Sequence, residues 1–265
     1  MSPVRRLREL GSVTALGLRG AEALIRPPFA WRTAVLPALA AALRRATVPA
    51  IVLVVALAIA LPGVQLGDFL ANNGQIDRLG AYLTTTSFRW LAPLAAVGAL
   101  VMAVGGPLTA RLARGAAGDR QVSRAPSAHA GELVAAHAIA FGAAATVLAL
   151  LILPASVGAG AAVATVVFDV PAGVVVASLF DGARFGDLVQ GIMSAFVSGA
   201  LAALVCCYYG LAAVGAGQGP KDRGGGIDGR AVRDALVAAL MVVAFVNVVL
   251  AAYLLAAFPD LRFTR

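Results

Sequence analysis

Residues able to do chemistry are scarce in this chain. Cysteine occurs twice, at Cys206 and Cys207, and histidine twice, at His129 and His137. A zinc site draws on about four such ligands at set spacings. The two cysteines are adjacent inside an apolar run, with no histidine or acid beside them, so they read as packing residues. Two histidines eight apart do not make a metal site on their own. No Ser/His/Asp or Cys/His set is visible, and there is no H-E-x-x-H. The segment Gly215-Ala216-Gly217-Gln218-Gly219-Pro220-Lys221 has the glycines of a phosphate loop. A Walker motif needs Gly-Lys-Ser/Thr, whereas Lys221 stands between Pro220 and Asp222. The chain is expected to hold no cofactor and no metal, to catalyse no reaction and to hydrolyse no ATP by itself.

The surrounding composition explains this poverty. Of 265 residues, 60% are apolar and 13% charged, against about 25% charged in a soluble domain. The alternative solvent is lipid. Five stretches contain no Asp, Glu, Lys or Arg: 46–67, 90–110, 133–168, 188–220 and 235–259. Each reaches the roughly 20 residues that a helix needs to cross about 30 Å of hydrocarbon. Backbone groups in lipid must bond within helices or a closed barrel. A barrel would show strands of about ten residues with alternating polarity, and none appears. The predicted fold is all-α: a polytopic membrane protein with about five transmembrane helices. A net charge of +8 then marks cytoplasmic loops rather than nucleic-acid binding. The single lysine beside 20 arginines, with abundant Ala, Gly and Val, points to a GC-rich bacterial genome.

Residues 1–32 show apolar side chains at helical spacing (Val4, Leu7, Leu10, Leu18, Ala21, Leu24, Ile25) with Arg5, Arg6, Arg8 and Arg19 between them. That pattern predicts an amphipathic helix lying in the membrane interface rather than a secretory signal. Arg26-Pro27-Pro28-Phe29 should end it. The transmembrane remainder, 33–265, holds the spans, placed at about 46–66, 88–110, 133–153, 187–212 and 234–257. Arg44 and Arg45 separate the apolar run 33–43 from the first span. Ala95, Ala99 and Ala103, and again Ala195, Gly199 and Ala203, form small-residue stripes at i, i+4, i+8 that allow close helix packing. Asn247 is the one strongly polar side chain of the last span and is expected to bond a neighbouring helix. No span is expected to carry a buried carboxylate, so no proton or ion relay is foreseen. An apolar, closely packed interior suits a lipid-like cargo.

The run after 153 is ambiguous, because Pro154, Gly158 and Gly160 interrupt it and Asp169 and Pro171 come after. With five spans and a cytoplasmic N-terminus, 16 of the 21 basic residues fall on cytoplasmic segments. A sixth span over 161–180 would move the Lys221–Arg233 loop outside and weaken that asymmetry. Positive charge favours the inside, so 155–183 is read as a re-entrant or outward-facing helical piece.

Several motifs, in order, resemble the MlaE/YrbE permease subunits of Mce-type ABC lipid transporters. Arg26-Pro27-Pro28-Phe29-Ala30-Trp31-Arg32 is similar to that family's R-P-P-F-x-W-R entry to the first span. Leu91-Ala92-Pro93-Leu94 resembles its A-P-L start to the second. Asp187-Leu188-Val189 opens a span closing on Cys207-Tyr208-Tyr209-Gly210-Leu211, like the family's D-v-v … C-Y-x-G-L. A glycine-rich loop and Phe245-Val246-Asn247-Val248-Val249-Leu250 complete the series, which covers nearly the whole chain. One departure is large. Family members carry an acidic segment, R-x-I-x-E-E-I-D-A-L, between the second and third spans. Here Arg111, Arg114, Arg120 and Arg124 stand against one acid, Asp119, and Pro126 is expected to end a helix early.

The resemblance implies a multi-pass permease of the inner (plasma) membrane, in an actinobacterial Mce system, moving a lipid or sterol-like substrate. It implies a cytoplasmic ATPase subunit, a second permease copy or paralogue, and secreted Mce-domain lipid-binding subunits as partners. Arg111–Arg124 is the stretch where such permeases meet their ATPase. The alternative is a degenerate, non-transporting membrane scaffold that assembles the complex.

Overall fold

The computed structural model describes residues 3–25, 29, 31–118, 126–182, 185–215 and 229–257. Among them the regular structure is entirely helical. In chain order it comprises α1 (Pro3–Ile25), α2 (Trp31–Ala58), α3 (Leu66–Asn72), α4 (Leu79–Thr86), α5 (Ala92–Leu100), α6 (Gly106–Gly118), α7 (Pro126–Val167), α8 (Ala172–Gly182), α9 (Phe185–Gly215) and α10 (Gly229–Ala257). Five helical rods are long and apolar enough to cross a membrane: Trp31–Asn72, Ile76–Ala113, Ala130–Val167, Phe185–Ala213 and Ala231–Leu250. The protein is an all-α polytopic membrane protein.

The rods are longer than the charge-free stretches within them. Trp31–Asn72 has 42 residues, so it is about 63 Å long, roughly twice the hydrocarbon thickness. Arg44 and Arg45 do not interrupt it. A helix carries both exposed on its surface without losing a backbone bond.

Three π-turns join α-helical pieces inside the first two rods: Ile59–Gln65, Ser87–Leu91 and Val101–Gly105. The first contains Pro62, which has no N–H and whose ring collides with the carbonyl four residues back. The wider turn removes that collision. Gly63 comes next, where a Cβ would come within 2.8 Å of the Ala58 carbonyl oxygen.

Two proline readings need correction. Pro154 does not break the third rod, because α7 runs without interruption from Pro126 to Val167. One missing N–H removes one bond, and the remaining bonds of a 42-residue helix tolerate that loss. Pro126 opens α7 rather than ending a helix. The first helical position suits proline because its N–H would be unpaired there anyway. The chain turns instead at Asp169, which takes the left-handed conformation (φ 53°). Asp is among the few residues that tolerate it. The Val170 N–H closes back on the Ala164 carbonyl at 3.1 Å, and Pro171 carries the chain into α8. Within 155–183, therefore, the first part completes the third rod. The remainder is the 11-residue helix α8, about half the length of a span.

The chain divides into two compact units. One contains Met1–Arg45, Leu100–Ala144 and Ser198–Val243; the other contains Ala46–Ala99, Ala145–Val197 and Ala244–Arg265. In the first unit α1 packs on α7 and α9. Ser12 donates to the Tyr208 hydroxyl at 2.8 Å. A Cβ on Gly131 would sit 2.9 Å from the Arg19 carbonyl oxygen, so glycine lets α7 touch the α1 backbone. The Thr109 hydroxyl is shared between the Gly105 and Cys206 carbonyls at 3.0 and 3.1 Å, tying α6 to α9.

In the second unit α4 and α8 clasp each other. Gly80 lies against Ser178 and Val175 of α8, and Gly182 lies against the Ala81 backbone of α4. With no side chain at either glycine, the backbones approach closely enough for side-chain hydroxyls to cross. Thr84 donates to Gly80 and Leu179 carbonyls, both at 3.1 Å. Thr85 does the same to Ala81 and Gly182 at 3.1 and 3.3 Å. A core of Leu70, Leu79, Leu83, Ala164, Val170 and Val175 fills the space beside the clasp.

Candidate functional site: a buried ion pair beside an apolar groove

The second unit also buries two opposite charges. Arg89 lies in the π-turn Ser87–Leu91, and Asp187 lies in the first turn of α9. The Arg89 Nε donates to Asp187 Oδ1 at 2.6 Å, with the side chains 5% and 1% exposed. A π-turn holds one residue more than an α-turn and so changes which side chains face inward. Here both polar members of the turn point into the unit. Ser87 meets Ser156 of α7 at 2.8 Å, and Arg89 meets α9. The expectation of no buried carboxylate in a span is overturned by Asp187.

Desolvating two charges costs several kcal/mol per ion, and an ion pair recovers it only with good geometry and satisfied neighbours. Satisfaction is incomplete here. Asp187 Oδ2 is buried and has no hydrogen-bond partner. Down the same face of α9 come Gln190 and Ser194, 6% and 2% exposed. Ser194 donates to Asn247 Oδ1 on α10. One end of α9 is thus polar along its inner face.

An apolar groove shares the same helices. Phe88, Pro93, Leu150, Leu153, Leu188 and Ile192 line it, with a volume of about 220 Å³ including its open mouth. Phe88 and Leu188 are the chain neighbours of Arg89 and Asp187. Gly191 also lines the groove, one helical turn from Asp187 on the same face of α9. A Cβ there would collide with the Phe88 carbonyl oxygen, so glycine keeps the groove's two walls together.

Of the positions singled out from sequence, Asn247 bonds Ser194 of the neighbouring α9. Ala95, Ala99, Ala195 and Ala203 are fully buried, Gly199 is buried and Ala103 half-buried. The closest backbone approaches use different glycines: Gly80, Gly182 and Gly191. Arg111 is exposed on α6, and Arg114 lies on the same helix. Asp119, Arg120 and Arg124 lie outside the described residues. Cys206 and Cys207 are buried and free. Among the described residues no cluster of His, Cys, Asp or Glu could hold a metal.

A family model for Permease MlaE matches residues 38–253, from α2 to near the end of α10. The chain belongs to the MlaE permease family. The match takes in four of the five membrane-length rods whole and the first from residue 38 onward, together with the ion pair and the groove. As an MlaE permease, the chain is the membrane-spanning subunit of a lipid transporter, and a permease rather than a catalytic subunit. No curated protein matches it.

Proposed function

We propose that this permease is the transmembrane half of an Mce-type ABC transporter that moves a lipid or sterol-like substrate across the envelope. A separate cytoplasmic ATPase powers it, a second permease copy or paralogue completes the path, and secreted Mce-domain subunits exchange the lipid. The permease lies in the inner membrane with its N-terminus inside, which leaves the basic 111–124 segment facing the ATPase. The observation that carries this reading is the family match across residues 38–253. The groove between Phe88 and Leu188 supports a lipid cargo, because it is lined by apolar side chains.

Reconstitution tests it. The permease, its ATPase and its permease partner in liposomes should move fluorescent lipid only when ATP is hydrolysed. The basic coupling segment, which lacks the family's paired glutamates, favours one rival: a scaffold that no longer transports. A monomer in mild detergent, with no co-purifying ATPase and no ATP-dependent lipid movement, would establish that rival instead.

A further inference from the structure

A membrane-spanning helix shows lipid an apolar face. On α9 that face is a stripe: Phe185, Val189, Met193 and Phe196 recur at i, i+4, i+8 and i+11, and all are exposed. The stripe does not stop where α9 begins. Phe185, the first residue of α9, is 79% exposed, and Phe180, near the end of α8, is 76% exposed. Val176, also exposed, lies one turn before Phe180 on the same side of α8. The other side of α8, with Val175 and Ser178, is buried against Gly80 of α4. So α8 packs by one apolar face and leaves a second one open. Exposed apolar patches mark interaction surfaces.

The neighbours of α8 give its depth. The charge-free stretch 46–67 ends at Asp68, which is exposed, so Asp68 marks one edge of the hydrocarbon. Gly67 packs on Phe168, the residue before the Asp169 turn that leads into α8. Leu70, two residues beyond Asp68, shares a core with Leu79, Leu83 and Val175. These contacts hold α8 at the hydrocarbon edge. Asp181 is exposed, and a carboxylate in hydrocarbon is costly, so α8 does not sink deeper. Asp181 stands about 100° round the helix from Phe180, which lets one face water while the other faces lipid.

We propose that α8 is a membrane-interface helix. Val176, Phe180 and the adjoining Phe185 insert among the acyl chains of the leaflet on the Asp68 side, and Asp181 stays with the headgroups. In the proposed orientation this is the outer leaflet. The occupant is lipid because the face continues the α9 stripe and lies at the hydrocarbon edge. Helices of this kind bury their apolar face about 5–10 Å into the boundary between headgroups and acyl chains.

The test uses the full chain in phosphatidylglycerol–phosphatidylcholine liposomes, with one nitroxide label at a time. The variants are Val176→Cys, Phe180→Cys and Phe185→Cys, with Met193→Cys as the span reference and Asn72→Cys as the aqueous one. All five positions are exposed, and Cys206 and Cys207 are buried, so the chain without an added cysteine sets the background. Oxygen concentrates among acyl chains, whereas a nickel chelate stays in water. Labels at 176, 180 and 185 should collide more with oxygen than with nickel, as at 193, and the order should reverse at 72. Nickel-dominated collisions at 180 and 185 would place α8 in water and overturn the proposal. Protection from both reagents would show that protein covers the face, a second copy included, and would overturn it equally. Either result would leave the permease reading intact.

Discussion

Replacing Asp187 with leucine leaves the Arg89 guanidinium, 5% exposed, without its carboxylate. Breaking a buried pair from one side costs about 3–5 kcal/mol, because the remaining charge stays desolvated. The reciprocal Arg89→Leu strands a carboxylate that is 1% exposed, and its cost should be in the same range. Removing both charges together should be neutral or stabilising, since apolar replacements of similar volume match or better most buried ion pairs. A double-mutant cycle should therefore give a coupling of roughly 3 kcal/mol or more, far above the 0.3–0.5 kcal/mol within which independent sites add. A chain of this size shifts by about 2–4 °C in melting temperature per kcal/mol. Each single variant should then melt about 6–20 °C below the wild type, and the double variant within about 3 °C of it. The assay is thermal unfolding of the detergent-solubilised chain, read by loss of the monodisperse chromatographic peak. Single-variant losses that simply add in the double variant would refute the pairing and the role given to the π-turn.

Gly182→Ala forces a Cβ to within 2.6 Å of the Ala81 Cα and should cost about 1–3 kcal/mol by overpacking. Gly158→Ala, with nothing within 4 Å of the new carbon, should be neutral or gain up to about 1 kcal/mol of helix propensity; equal melting of the two variants would contradict the clasp. A cysteine at Gly224 should resist impermeant thiol reagents in intact cells, with little background because Cys206 and Cys207 are buried, and labelling from outside would reverse the proposed orientation. Arg114→Glu/Arg120→Glu should lower ATPase co-purification several-fold with membrane insertion unchanged, because like charges now face each other. Undiminished binding would leave these arginines a purely topological role.

The sequence made the five rods legible because each contains a charge-free stretch of span length. It hid the ion pair for the same reason. Arg89 and Asp187 each sit one residue outside such a stretch, at 90–110 and 188–220, and so resembled loop charges. A helix does not end where its charges begin, and both rods continue past these residues. One signal was available: Asp187, Gln190 and Ser194 recur at helical spacing and place polar groups on one face. The π-turn at Ser87–Leu91 left no comparable mark, since nothing in those residue types demands the extra residue. Pro154 does not break α7, because the loss of one N–H bond is small against the other bonds of a 42-residue helix. The clasp glycines Gly80 and Gly182 were invisible for a different reason. They lie on separate helices, and only the fold makes them neighbours.

The three π-turns also bear on how this chain can change over time. Inserting or deleting a residue in a straight α-helix rotates everything beyond it by about 100°, which in a packed bundle turns a buried face outward. A π-turn already holds its surplus residue locally, so deleting one there returns the segment to a regular helix while the flanking turns keep their faces. At Ser87–Leu91 the surplus residue decides whether Arg89 faces α9. The charge in this interior is therefore held in place by the length of the chain as much as by the identity of its residues. A one-residue deletion there could remove the ion pair while leaving both of its members in the sequence.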